Sequence, residues 1–300
     1  VETPGAEEIA RVANHPVFSL IIFIFMTMSA TITASDVNKL RTMTGAGMMD
    51  CKKALTETNG DFEAAIDLLR KKGQKVAANR SDRDAKEGKV VAKTNGTRGI
   101  LVCLNCETDF VAINEDFGKT VDAMAETALT KAPADLNALL ALPYENMTIG
   151  EKVTEMVGRI GEKIELNKYE QISAASVVAY NHPGNKLACI VGFSKPVSEE
   201  VGKNVAMQVA AMAPVAVDKD DVDSTMLERE LEIAREQVRA EGKPEDMVEK
   251  IAQGKLNKFY KESTLLNQEF IKDNKKSIRQ YLQDTDKELT VTGFKRIILG

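Results

Sequence analysis

Between residues 33 and 80 the apolar positions recur with a helical period. Val37 and Leu40 share one face behind Ser35, a residue placed to cap a first helix. Thr44-Gly45-Ala46-Gly47 stops that helix and turns the chain. Met48, Cys51 and Leu55, at i, i+3 and i+7, predict a second helix over 48–56. Asn59-Gly60-Asp61 ends it and caps a third, whose apolar stripe is Phe62, Ala65, Ile66 and Leu69. Three short helices so close together predict a compact bundle over 29–80. The polar, charged stretch that follows, 81–86, reads as a linker.

The period then changes to 2. Residues 89–94, the turn Asn95-Gly96 and residues 99–107 predict a β-hairpin closed by a type I′ turn. On its second strand Ile100, Val102, Leu104 and Cys106 share a face. After the connection Thr108-Asp109-Phe110-Val111-Ala112 comes a helix with Phe117, Val121, Met124 and Ala128 in phase. The same unit returns later. Strands are expected at 173–180 and 187–193 around Asn181-His182-Pro183-Gly184, then a helix with Val201, Val205, Val209 and Met212 in phase. Phe117-Gly118-Lys119-Thr120-Val121 echoes Val201-Gly202-Lys203-Asn204-Val205, and both helices end at Ala-Pro. Two related α+β subdomains, 87–168 and 169–300, are the expectation.

Helix is expected between the repeats around 151–164. After the second repeat, residues 224–240 and 245–260 predict a projecting helical hairpin with a stop at Gly242-Lys243-Pro244. Leu227, Leu231, Ala234 and Val238 make a coiled-coil-like seam. Residues 289–299 read as strand. The fold class is therefore α+β.

The start of the chain does not fit this picture. Val17 to Phe25 is apolar apart from Ser19, yet a bilayer span needs about 20 apolar residues. Before it stand Glu2, Glu7, Glu8 and Arg11, acidic where a signal needs positive charge. Residues 1–28 read as a leader, expected to be translated upstream sequence with the true start at Met28 or Met26. A peripheral anchor or a cleaved signal are the alternatives. No other stretch is long and apolar enough to span a membrane.

Composition narrows the function. The 300 residues suit roughly two domains. With 40 basic and 45 acidic residues the net charge is −5, so the chain brings no general affinity for polyanions. No direct nucleic-acid contact is expected. Two histidines and no tryptophan argue against a His-rich metal site. Four cysteines in this length do not make a secreted disulfide scaffold, which points to a reducing compartment, the cytoplasm.

Candidate chemistry is sparse. Cys103-Leu104-Asn105-Cys106 is a CxxC, but mid-strand residues at i and i+3 point to opposite faces. No second CxxC or His pair completes a zinc site. Buried structural thiols are the expectation, with a thiol enzyme as the rival. Gly45-Ala46-Gly47 lacks the third glycine of a dinucleotide loop and the Gly-Lys-Ser/Thr of a P-loop. His182, in a turn beside Pro183 and Gly184, reads as a surface contact rather than a general base. Phe110 is an aromatic in a short polar connection. Either it plugs the strand–helix corner or it is an exposed anchor for a partner's pocket.

Two segments carry a family resemblance. Leu40-Arg41-Thr42-Met43-Thr44-Gly45-Ala46-Gly47-Met48-Met49-Asp50-Cys51-Lys52-Lys53-Ala54-Leu55 resembles the first signature of the bacterial elongation factor Ts family. Asn105-Cys106-Glu107-Thr108-Asp109-Phe110-Val111-Ala112 resembles the second. The similarity continues through Arg159-Ile160-Gly161-Glu162, His182, the helical pair and Val291-Thr292-Gly293-Phe294, and covers about residues 29–300. Cys103 and Ile113 depart from the pattern, standing where the second signature often has an acidic and a basic residue. The chain also ends at Gly300, before the extra C-terminal helix that some members add.

The resemblance implies a ubiquitin-associated-like three-helix module followed by the two subdomains. It implies an exchange factor with no catalytic residues, no cofactor and no metal of its own. Its partner would be elongation factor Tu, GDP-bound and nucleotide-free, with no membrane contact. A homodimer or a heterotetramer with the GTPase both stay open. Thr108, Asp109, Phe110 and Val111 match the segment associated with dislodging Mg²⁺ from the partner. Met48, Met49, Ile160, Gly161 and His182 match further contact positions.

Overall fold

The computed structural model describes residues 31–300, so the expectation for residues 1–28 lies outside it. In chain order the elements are helices α1 (Ala34–Thr44), α2 (Met48–Glu57) and α3 (Phe62–Asn79), then strands β1 (Glu87–Thr94) and β2 (Arg98–Cys106). A one-turn helix α4 (Asp109–Ala112) precedes α5 (Glu115–Lys131), α6 (Leu136–Leu140), the small hairpin β3 (Pro143–Tyr144) and β4 (Met147–Thr148), and α7 (Ile149–Ile160). There follow β5 (Ile164–Ser173), β6 (Ser176–Asn181), β7 (Leu187–Phe193), α8 (Glu199–Met212), α9 (Ser224–Ala240) and α10 (Glu245–Ser263). The hairpin β8 (Glu269–Phe270) and β9 (Asp273–Ser277), α11 (Ile278–Thr285) and β10 (Val291–Ile298) complete the chain.

Two compact units emerge. Among the described residues, the first holds 31–79 together with Glu155–Gly161, and the second holds Arg80–Thr154 and Glu162–Gly300. In the first, Val37, Leu40, Cys51, Ala54, Leu55 and Ala65 form the buried centre of α1, α2 and α3. Thr33, not Ser35, caps α1. Its hydroxyl accepts from Asp36 N–H at 3.2 Å while the Asp36 carboxylate accepts from Thr33 N–H at 3.0 Å. That reciprocal box satisfies two end groups at once, which Ser35, inside the first turn, does not do. Gly73 of α3 and Gly158 of α7 cross so closely that a Cβ on Gly158 would sit 2.6 Å from Gly73 Cα.

The second unit is two three-stranded antiparallel sheets, β1-β2-β5 and β10-β7-β6. Each has the middle of its three strands in chain order at its centre, and the repeated topology follows from that. The sheets face each other through Val90, Ala92, Leu101 and Cys103 on one side and Val177, Ala188, Ile190 and Ile297 on the other. Helix α5 packs on the outer face of β1 and β2. Val201, Val205 and Val209 of α8 and Ile278 and Leu282 of α11 cover Cys189, Val191 and Phe193 of β7. Strand β2 is thus buried on both faces, though its alternation suggests one wet face. Helices α5 and α8 both end in a left-handed alanine, Ala132 at φ 49° and Ala213 at φ 45°, each before a proline.

Several expectations are corrected. The β1–β2 connection is no type I′ turn, which needs positive φ at both central residues. Of its residues only Gly96 has positive φ, and Asn95 Oδ1 accepts from the N–H groups of Thr97 and Arg98 instead. Helix between the repeats stops at Ile160, and Ile164–Ser173 is strand β5, whose many polar residues hide it as an edge strand. Strand β6 begins at Ser176 rather than Ser173. Met212 lies at the last turn of α8 and is exposed despite being in phase. The predicted hairpin forms as α9 and α10, packed together and laced by Arg235–Glu249, Arg239–Glu245 and Lys255–Glu241. Within its seam Ala234 and Val238 are buried, while Leu227 and Leu231 are half-buried.

Candidate functional site

The corner between β2 and α5 is built as a mount for a short helix. Beyond Cys106 the chain leaves the sheet, and Thr108 caps α4 with its hydroxyl accepting from Val111 N–H at 3.5 Å. The short connection between strand and helix is therefore a helical turn. Ala112 is buried under it and Val111 is half-buried. Asp109 points to solvent, and Phe110 is 78 % exposed. That exposure removes the corner-plug reading of Phe110. Ile113, one turn along, is 74 % exposed and adds to the apolar surface beside it. Sequence reasoning noted Ile113 only as a departure from the signature.

Two carboxylates fix the root of this corner. Glu162 Oε2 accepts from Thr108 N–H at 3.1 Å, and Glu162 Oε1 accepts from the Thr108 hydroxyl at 2.7 Å. Glu107 Oε1 accepts from Lys163 N–H at 2.5 Å and from Arg80 Nη1 at 2.7 Å, and Glu107 Oε2 takes Arg83 Nη1 at 3.3 Å. Burial pushes the Glu107 carboxyl upward, but the Lys163 amide and the Arg80 and Arg83 guanidiniums outweigh it, holding the group below the usual carboxylate range. Both lie in segments that carry the family resemblance, but nothing in the sequence brings them together. Their role depends on the pairing of β2 with β5, a strand the sequence conceals.

The thiols are structural. Among the described residues all four cysteines are free and buried. Cys103 donates to Asn105 Oδ1 and Cys106 to Thr108 O, both at 3.1 Å. Burial pushes the Cys103 thiol to about 11, and burial with the nearby Glu162 and Glu87 carboxylates pushes Cys106 to about 12. A thiol raised this far holds little thiolate at neutral pH, which argues against Cys103 or Cys106 as a nucleophile.

His182 sits in the exposed turn between β6 and β7, its Nδ1 3.0 Å from the Tyr180 hydroxyl. The turn is docked on the edge of β1. Asn181 pairs with the Ala92 backbone at 2.7 and 3.0 Å, and Asn185 O accepts from Val90 N–H at 2.7 Å. Lys186, beside it, binds Glu87 at 2.7 Å. Its ammonium is held above the usual lysine range chiefly by Glu87, with a smaller lift from Asp109. The β6–β7 turn and the α4 corner therefore belong to one end of the second unit.

The remaining predicted residues lie in the first unit. Met48 and Met49, at the start of α2, are 57 % and 74 % exposed, and the neighbouring Met43 is exposed too. Ile160 ends α7 half-buried, and Gly161 follows at φ 80°. Arg159 lies against the Gly45 turn that leads into α2, so this unit gathers 45–49 with 159–161. Among the described residues no group of His, Cys, Asp and Glu could hold a metal ion, and no helix is long and apolar enough to cross a membrane.

Comparison with known proteins agrees with these motifs. Residues 107–300 match the family model described as Elongation factor TS. Elongation factor Ts of Cytophaga hutchinsonii is 54 % identical over 277 residues, covering 90 % of this chain and all of the relative. The protein of the same name from Christiangramia forsetii is 52 % identical over 275 residues, again 90 % of this chain and 100 % of the relative. That of Chloroherpeton thalassium is 46 % identical over 274 residues, covering 88 % and 95 %.

Proposed function

The chain belongs to the elongation factor Ts family, and from that premise we propose that it is a guanine nucleotide exchange factor for elongation factor Tu. It works in translation elongation, in the cytoplasm, and performs no bond chemistry of its own. Mg²⁺ in a GTPase bridges phosphate oxygens and protein ligands and so anchors the nucleotide. A factor that shifts the loops around that ion weakens nucleotide binding without touching a covalent bond. Phe110 is the wedge in this scheme, entering an apolar pocket beside the nucleotide site. Asp109 accompanies it, with Thr108 and Val111 as the frame. Met48, Met49, Ile160, Gly161 and His182 add contacts that bring affinity. The three-helix module over 29–80, joined by the linker 81–86, supplies binding, and the subdomains 87–168 and 169–300 supply the exchange step. Coupling between the two ligands is reciprocal, so fresh nucleotide expels the factor.

The observation that supports this best is the exposure of Phe110 on a corner fixed by backbone and carboxylate bonds. An aromatic held in water costs free energy that a partner's pocket recovers. The test is release of labelled GDP from elongation factor Tu with and without this protein. Release should accelerate and saturate as the protein is added. Release that stays at the spontaneous rate rejects the exchange function.

A further inference from the structure

Strands β2 and β5 pair antiparallel down to Cys106 opposite Ile164. Continued in register, the next positions oppose Glu107 to Lys163 and Thr108 to Glu162. Backbone pairing stops there, because the chain after β2 turns out of the sheet into α4. The hydrogen bonds do not stop. Lys163 N–H donates to the Glu107 carboxylate, and Thr108 N–H donates to the Glu162 carboxylate. Just beyond the last backbone pair each carboxylate accepts a backbone N–H from the segment opposite its own. Glu162 adds a second bond, to the Thr108 hydroxyl.

We propose that this reciprocal carboxylate clasp sets the position of the Phe110 helix, with Glu162 as the positioning residue for exchange. The inference rests on the exchange function proposed above. Thr108 is both the residue Glu162 grips and the cap of α4, so the grip acts on the mount of Asp109 and Phe110, the next two residues. Carboxylate acceptors suit the task because charge-assisted hydrogen bonds are shorter and stronger than neutral ones. Glu107 extends the clasp to Arg80 and Arg83, whose guanidiniums neutralise the second carboxylate.

The test uses the full chain with elongation factor Tu bound to labelled GDP, comparing wild type, Glu162→Ala and Glu162→Gln. Three quantities are read: the maximal GDP-release rate, the half-saturating concentration, and amide hydrogen exchange over 108–113. In Glu162→Ala the maximal rate should fall about tenfold or more, the loss expected for a charge-assisted bond. The half-saturating concentration should stay within about threefold, since most contacts persist. Amides 108–113 should exchange faster while those of β2 keep their protection. Glu162→Gln, with one accepting oxygen left, should fall between. A wild-type maximal rate in Glu162→Ala overturns the proposal. So does loss of protection throughout β2, which would make Glu162 a general structural residue. If wild type itself releases no GDP, the exchange function fails, and unchanged exchange of amides 108–113 in the variant then rejects the clasp separately.

Discussion

In the first repeat the chain leaves its central strand β2 at Cys106 and reaches α5 at Glu115. In the second it leaves β7 at Phe193 and reaches α8 at Glu199. The scaffolds match, from strand order to the left-handed alanines closing both helices. The corners do not. After β7 the ladder simply continues, Ser194 N–H donating to Thr290 O at 2.9 Å, and Ser198 caps α8 directly. Lys195 then ties the corner to Asp286 and Glu288 at 2.9 and 2.7 Å. After β2 the carboxylates of Glu107 and Glu162 accept the backbone N–H groups, and the longer connection makes room for α4. One corner closes a sheet. The other uses the same exit to display an exposed aromatic, as connections on a shared scaffold can do.

The largest effect should separate the two phenylalanines. Phe193, fully buried at the end of β7, should cost about 3–5 kcal/mol of stability when replaced by alanine. Phe110→Ala should leave the unfolding midpoint near wild type and lower GDP release instead, by about 30-fold for an anchor worth about 2 kcal/mol. Denaturant melts and exchange rates on both variants decide the matter. A destabilised Phe110→Ala whose folded fraction exchanges normally would erase the distinction between the corners.

The next effect sharpens the contrast in acceptors. Glu107 has a folded-state pKa below its unfolded value. Its contribution is therefore present above the ordinary glutamate range, about 4.3, and is lost as pH falls through the lower folded value. Glu107→Gln should be less stable than wild type at neutral pH, and the gap should narrow as pH falls below the ordinary glutamate value, about 4.3. Melting temperatures across that range test it. A gap that stays constant with pH would mean the carboxylate charge is irrelevant to the corner.

Thiol reactivity probes the central strands of both repeats alike. Burial raises Cys189 on β7 to about 12, as it raises Cys103 and Cys106 on β2. All three should resist a thiol reagent at pH 8 in the native protein and react once denatured. Fast labelling of Cys103 or Cys106 alone would show that the first repeat opens where the second does not.

The smallest effect tests the likeness itself. Ala132→Gly and Ala213→Gly relieve left-handed alanines at equivalent caps. Each should stabilise by about 0.5 kcal/mol, the relief of a strained φ less the added freedom of the unfolded chain. Unequal effects, read from denaturant melts, would show that the two helix ends carry different strain.

Much of this was legible along the chain. Helices α9 and α10, the core of α1–α3, the hairpin β1–β2 and the repeat with its shared Ala-Pro ends all follow from local periodicity and stop signals, which neighbours in sequence suffice to specify. The exposed candidates Met48, Met49, Phe110 and His182 were named from the sequence, through long motifs rather than through chemistry. Strand β5 was not legible, because an edge strand needs few apolar residues and Glu165, Asn167, Lys168, Glu170 and Gln171 give it no stripe. Without β5 there is no register, and without register nothing in the sequence sets Glu107 and Glu162 against each other.

What the sequence determined by itself was the α+β class and the repeat, since these rest on local periodicity and on segments that echo one another along the chain. The choice between a buried and an exposed Phe110 was different. A single aromatic in a short polar connection has no periodic neighbours to assign it a face. Its direction is decided by the cap at Thr108, and that cap is held by Glu162 from the far side of the chain. Long-range hydrogen bonds of this kind leave no periodic trace in a sequence, so only the tertiary structure could turn the aromatic outward.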